Sequence, residues 1–432
     1  MKRTVTMLVL ALLLLCASFL VFDVKFAHAW TGTVYIKADG SVEPSDAPVE
    51  RNGDLYTLTE DIISDGDGIV IEKNNAVIEG ARHIVQASGF WGTGIEVNKR
   101  SNVTIKNIRI NGFDYGIHLS ESYYINIVQS DITKGASANV FCYGSSCCTF
   151  SENNISESSW FGIIMYYSFS SGIFNNRIID NARSGVELFL FSANNSVMQN
   201  RIENNWAGVC LNASAANNAV RENDIITNNA GIRLYDSSYN FILCNSFINN
   251  TFQVYDHSVE GYVPPSVNIW NGIYPYGGNY WSDYAGVDNF SGPYQNETGE
   301  DGIGDIPHII NALNKDDYPL MRAYTSLRVQ IYTDKATYHS GELMHLGLHI
   351  TNLGETIRSC VAIWLELPDG SIHVIIHAHN KELQNGLNYN NPSFKSFTLP
   401  SITPGTYKWH AALLNPSTHT RIIEDAEEWT FN

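Results

Sequence analysis

Basic residues are scarce in this chain: 26 Lys and Arg stand against 44 Asp and Glu in 432 residues, a formal charge of −18. That balance excludes a nucleic-acid partner, which needs a basic footprint. Charge of either sign is limited to 16 % of residues, so the exterior must be polar but largely uncharged. Asn, Ser, Gly and Tyr fill that role, as in a turn-rich β protein. No segment sustains a 3.6-residue apolar period, and Asn and Gly are too frequent for a helical solenoid. The Leu columns of leucine-rich repeats are missing too. Cysteine is limited to seven residues, with no C-x-x-C pair and no zinc spacing.

Long apolar runs are absent except at the N-terminus. There Lys2 and Arg3 precede the apolar stretch Val5 to Phe22, and Ala27-His28-Ala29 fits a small-x-small cleavage pattern. Residues 1–29 therefore read as a signal peptide, with an uncleaved anchor as the alternative, since the run is just long enough to span a bilayer. Either places the protein outside the cytoplasm, secreted or at the cell surface on the periplasmic side, with membrane contact only through this leader. Asn-x-Ser/Thr acceptors at Asn102, Asn154, Asn194, Asn212, Asn249, Asn289 and Asn296 are compatible with an exported glycoprotein. Cys142, Cys147 and Cys148 lie close enough for one local disulfide; simple burial is the other reading.

What dominates the chain is repetition. Segments opening on Gly94-Ile95-Glu96-Val97, Gly116-Ile117-His118-Leu119, Asn139-Val140-Phe141-Cys142, Gly162-Ile163-Ile164-Met165, Gly185-Val186-Glu187-Leu188, Gly208-Val209-Cys210-Leu211 and Gly231-Ile232-Arg233-Leu234 follow one another at steps of 22 or 23 residues. Two apolar residues flank one variable residue each time, the signature of a short strand with one buried face. Asn107, Asn153, Asn176, Asn200, Asn223 and Asn245 recur with an aliphatic or aromatic residue one or two places on, and Ser130 takes that place in the remaining coil. Such columns have a reason only if consecutive coils stack, with the Asn side chains forming an internal ladder. The fold expected is mainly β: a right-handed parallel β-helix over 68–276, with 30–67 capping its open N-terminal end.

After about residue 254 the repeat fades. Residues 277–322, with Gly-Asn-Tyr-Trp-Ser-Asp-Tyr at 278–284 and Asp301-Gly-Ile-Gly-Asp305, read as a loop-built C-terminal cap. Asp301 and Asp305 are candidate calcium ligands, although no EF-hand pattern is present. From 327 to 432 short β-rich runs alternate with Gly, Pro and Asn, which fits an immunoglobulin-like sandwich.

On the Gly-Ile-x-Leu coils and these closing segments, residues from roughly 30 to 321 resemble the NosD-like β-helix family, also described as carbohydrate-binding and sugar-hydrolase repeats. The resemblance implies an exported right-handed β-helix. It also implies either a polysaccharide-related role or, as for the namesake, a part in copper-centre maturation of nitrous-oxide reductase. Pectate lyases share the coil pattern.

In each strand the x residue and the residue after Leu point outward. One outward column reads Glu96, His118, Phe141, Ile164, Glu187, Cys210, Arg233; the other reads Asn98, Ser120, Tyr143, Tyr166, Phe189, Asn212, Tyr235. Rings of Phe141, Tyr143, Tyr166, Phe189 and Tyr235 at intervals of about 5 Å suit stacking on sugar rings, unless a loop or a protein partner covers them. For lyase or hydrolase chemistry the candidates are Glu187 with Arg233 and Glu96 with His118, while the tight Asp cluster of a pectinase-type hydrolase is missing. The copper alternative rests on His373, His377 and His379, and on His345 and His349, which share strand parity; His377 and His379 need help from another strand to hold one ion. The leading expectation is a surface polysaccharide-binding β-helix protein. A lyase or hydrolase comes next, and a copper accessory third.

Overall fold

The computed structural model of the chain describes residues 29–432, apart from 90, 275, 325–326, 353–355 and 385–386. The leader expected above lies outside the described residues. Two compact units are present, one ending at Arg322 and the other covering Ala323–Asn432.

The first unit is a parallel β-helix. Its strands assemble into three long sheets of 11, 11 and 10 strands, each joining residues one coil apart. The Gly-Ile-x-Leu strands form one of these, here called the front sheet, with Ile95 beside Ile117, Val140 beside Ile163 and Val186 beside Val209. Both apolar columns of that strand point inward and are fully buried. Cys142 fills a Leu place in the second of them, and it is a free, buried thiol, as is Cys148. No local disulfide forms; burial lifts the Cys148 thiol to about 11. Within the stretch 30–67, expected to act only as a cap, Val34–Ile36 already pairs in parallel with Ile69–Ile71 and Trp30–Thr31 with Ile62–Ile63. The solenoid thus begins a coil earlier, and only short antiparallel pairs such as Val49–Asn52 with Leu55–Leu58 close its edge.

The Asn ladder exists from Asn153 onward, and it has two companions; Asn107, expected in the column, is instead the left-handed residue (φ 52°) one place ahead of it, and Ile108 takes the rung. Along the expected column, each Nδ2 donates to the next Oδ1: Asn153 to Asn176, Asn176 to Asn200 and Asn200 to Asn223 at 3.0 Å, then Asn223 to Asn245 at 2.9 Å. Asn195, Asn218, Asn240 and Asn268 form a second ladder, and Asn181, Asn205, Asn228 and Asn250 a third. The residue before each rung is left-handed: Asn175, Gln199 and Glu222 have φ of 54°, 58° and 59°. A left-handed residue turns the chain sharply, and the amide behind it takes up the backbone groups that the turn releases. The ladders thus fix the corners, and the corners hold the front sheet in register.

The closing segments finish this scheme. Asn279 accepts from Asn245, and its own N–H donates to the Asp316 carboxylate at 2.7 Å. Gly278 must lack a side chain, because a Cβ there would fall 1.8 Å from Asp316 Oδ1.

In the second unit, Leu327–Thr333, Leu343–Asn352 and Leu387–Thr398 form an antiparallel sheet of three strands. A five-stranded sheet contains Ile357–Glu366, Ile372–Leu383, Gly405–Leu414 and Arg421–Phe431. Ile331, Met344, Leu346, Ile363, Trp409 and Trp429 share one apolar core.

Candidate functional site

Register in the front sheet carries outward residues from coil to coil in the order expected. Glu96 lies beside His118, His118 beside Phe141, Phe141 beside Ile164, Ile164 beside Glu187, Glu187 beside Cys210, and Cys210 beside Arg233. Tyr143, Tyr166, Phe189, Asn212 and Tyr235 follow one another in the second column. Their rings meet: Tyr143 and Tyr166 are 5.5 Å apart between centroids, and Tyr166 and Phe189 5.0 Å, edge to face. Tyr115, outside both columns, stacks on Phe141 at 5.0 Å and extends the track by a coil.

The first column is less open than its outward direction implies. Glu187 is only 3 % exposed, and Ile164 and Cys210 are also buried. Here the track runs into a pocket of about 250 Å³, lined by Arg183, Glu187, Trp206, Cys210, Asn212, Arg233, Tyr235 and His257. Glu187 forms part of its floor, accepting from the Ser184 hydroxyl at 2.9 Å and from Asn212 Nδ2 at 3.0 Å. Arg233, two coils on, lays its guanidinium 3.5 Å from the Trp206 ring centre and donates through Nε to His257 Nε2. Since an arginine only donates, His257 Nε2 must accept, and the ring proton sits on Nδ1, facing Glu260 Oε1 at 3.2 Å. Burial, reinforced by the Arg233 charge, pushes the His257 pKa down, so the imidazole is neutral. Burial also lowers the Arg233 pKa, and burial with the nearby Glu187 charge lifts the Cys210 thiol well above its usual range. The pocket thus holds a carboxylate, a neutral imidazole and two guanidinium groups, on a protein that is acidic as a whole.

Arg183, Trp206 and His257 escaped the strand-based reading. Arg183 and Trp206 belong to a turn column two residues ahead of the coil glycine, where Trp160, Arg183 and Trp206 recur. Arg183 lies over the Trp160 ring at 5.4 Å, while Trp206 carries the Arg233 guanidinium. His257 follows the last regular coil, where the repeat no longer predicts anything.

The second candidate pair also meets, with His118 Nδ1 2.8 Å from Glu96 Oε2 and the imidazole stacked on Phe141 at 5.1 Å. Three coil rises, about 14 Å, separate His118 from Glu187, so the two pairs are not parts of one site. In the cap, Asp301 accepts from Ile303 N and Gln295 Nε2, and Asp305 from the N–H groups of Asn289 and Phe290.

Residues 50–286, more than half of the chain, match the family described as periplasmic copper-binding protein (NosD). The chain belongs to the NosD family. No curated protein matches it significantly. Among solved structures it is similar to a mutant of the periplasmic alginate epimerase AlgG, with 17 % identity over 49 % of this chain and 68 % of that one and a TM-score of 0.38. It is also similar to the Dettilon tailspike protein, with 12 % identity, coverage of 88 % and 72 % and a TM-score of 0.42. The A-module of the Azotobacter vinelandii mannuronan C-5 epimerase AlgE6 matches at 14 % identity, with coverage of 59 % and 81 % and a TM-score of 0.33.

The family description makes copper a group to test against the side chains present. Among the described residues, no three His, Cys, Asp or Glu ligand atoms converge anywhere on this NosD solenoid. Of its buried cysteines, Cys142 and Cys148 face the apolar core and Cys210 lines the front-sheet pocket. The donors that do converge lie in the second unit.

Proposed function

We propose that this NosD-family chain is an exported protein that binds an anionic polysaccharide along its front sheet. The observation that carries this is the row of rings on the front sheet, Tyr115 on Phe141 and Tyr143 through Tyr166 to Phe189, whose neighbour in the next coil, Asn212, lines a pocket that also holds Arg183 and Arg233. Sugar rings stack on aromatic faces, and a carboxylated sugar unit supplies the charge that the two guanidinium groups lack. A glycan laid along the axis would meet one coil every ~4.8 Å.

The chemistry of Glu187 favours processing as a second reading. It is the only carboxylate among the pocket-lining residues, whereas glycoside hydrolysis ordinarily uses two. One base next to guanidinium groups suits proton abstraction beside a sugar carboxylate, as in a lyase.

The test is titration of the full chain with oligouronates and with neutral oligosaccharides of equal length. Arg233→Ala is expected to weaken oligouronate binding by ~10–100-fold, since a charge-assisted hydrogen bond contributes ~1.5–3 kcal/mol. Tyr166→Ala should weaken both ligands if either binds. Equal affinity of the wild type for neutral and carboxylated glycans would sink the anionic reading. Release of unsaturated products, absent in Glu187→Gln, would establish the lyase.

A further inference from the structure

The convergent donors of the second unit are Cys360, His379 and His419, whose ligand atoms all lie within 4.8 Å of one another. Three separate pieces of chain bring them together. Cys360 sits in the strand Ile357–Glu366, at a register break against Ile372–Leu383 that falls between Ser359 and Val361. Ser359 pairs with Lys381 and Val361 with Ala378, so His379 and Asn380 together oppose the single residue Cys360. Asn380 has a φ of 50°, which makes the extra residue a left-handed bulge. A bulge re-aims the side chains beside it. Here the effect is to set His379 Nδ1 3.8 Å from the Cys360 sulfur. His419 comes from the hairpin tip between Gly405–Leu414 and Arg421–Phe431, held by its N–H to Asn415 O at 2.9 Å.

Spacing and chemistry both select the ligand. With metal–sulfur and metal–nitrogen bonds of about 2.3 and 2.0–2.1 Å, a 3.8 Å separation of sulfur and nitrogen corresponds to an angle of about 120° at the ion. His419, exposed on its tip, completes the third side, with its ligand atom within 4.8 Å of the other two. The set has no oxygen donor, so calcium and magnesium are poor occupants. One thiolate with two imidazoles is a soft to borderline set. The sulfur is buried while both imidazoles are reachable from solvent, which gives an ion a way in.

We propose that Cys360, His379 and His419 form a three-coordinate site for Cu(I). A thiolate with two imidazoles suits Cu(I), and zinc, which with three protein ligands keeps an open fourth position for water, is the competitor the titration must separate. His377 lies just outside the set, its ring 4.2 Å from that of His379 and 6.2 Å from that of His419. The site stands apart from the sugar-binding reading, on different residues of a different unit, and lies beyond the stretch that matches the NosD family.

The full chain, reduced and held without oxygen, is titrated with Cu(I) in the presence of a chromophoric Cu(I) chelator. One equivalent is expected to be withheld from the chelator, with a new near-ultraviolet thiolate-to-copper absorption. His379→Ala and His419→Ala, both at exposed positions that fold without them, should each lower the affinity by about tenfold or more, the scale on which outer partners alone already act. Cys360→Ser should abolish the absorption, while Cys147→Ser in the solenoid leaves it intact. If the chelator keeps all the copper, or both histidine variants still bind one equivalent as tightly as wild type, the site does not exist. Zinc held by the same three residues in preference to Cu(I) would overturn the copper assignment.

Discussion

Replacing Asn200 by alanine is expected to destabilise the solenoid by about 3–5 kcal/mol, although the side chain touches no ligand and carries no charge. Asn200 Nδ2 donates to Ile173 O at 2.8 Å, to Met198 O at 2.9 Å and to Asn223 Oδ1 at 3.0 Å. Its Oδ1 accepts from the backbone N–H and the side-chain amide of Asn176. Truncation strands the Asn176 N–H in a dry interior, and each buried group left without a partner costs ~1–3 kcal/mol. The coils touch only their neighbours, so the loss falls on one coil interface. Hydrogen exchange should therefore quicken around residues 173–226 before it does so elsewhere, alongside a lower unfolding midpoint. Asn200→Ser should recover part of the loss, because Ser130 serves in this same column, its hydroxyl accepting from the Ile108 N–H at 3.4 Å. A cost below about 1 kcal/mol would show that the amides are interchangeable with apolar filling.

The second large effect is a pH dependence seated in Asp316. This carboxyl is fully buried, and burial raises its pKa from 3.8 to about 6 against the opposing pull of three donors, Asn279 N, Trp281 Nε1 and Tyr318 N. A folded pKa above the unfolded one favours the protonated native state, so the contribution is complete below about pH 4 and is lost as pH rises to about 6. The shift corresponds to about 3 kcal/mol. Other groups titrate over the same range, so the measurement is a difference between wild type and Asp316→Asn across pH 3.5–7. Wild type should lose about 3 kcal/mol relative to the variant on going from the acid to the neutral end. A flat difference would mean that the three donors hold the carboxylate ionised throughout. Asp316→Ala, by contrast, orphans all three donors and should be destabilising at every pH.

Much of the front sheet was legible because a coil length of 22 or 23 residues turns a one-dimensional spacing into direct contact. Once Asn139, Gly162 and Gly185 are stacked, Tyr143, Tyr166 and Phe189 have no choice but to be neighbours. The same logic brought Glu187 and Arg233 into one pocket. Corners were not legible in the same way. Trp160, Arg183 and Trp206 recur just as regularly, but in turns, where the period-2 rule for strands says nothing about direction. Direction alone also did not reveal that Glu187 is buried, since that depends on how far the neighbouring side chains reach. In the second unit, parity placed His377 and His379 on one face and called for another strand. A register break and a hairpin tip then chose Cys360 and His419, and neither can be located by counting alternate residues.

The Asn amides all point the same way, each donating to the amide oxygen of the next coil, accepting from the amide of the one before, and also donating to a carbonyl of that earlier coil. Such a staircase has two unlike ends. Its last tread, Asn279, meets a carboxylate, a group that only accepts when ionised. Because every intermediate tread presents the same faces upward and downward, a whole turn can be inserted or excised with no amide left unmatched, whereas a gain or loss of a few residues within a turn cannot. Length in this protein is therefore adjustable in whole turns, and the reach of any chain molecule lying along it changes in the same increments.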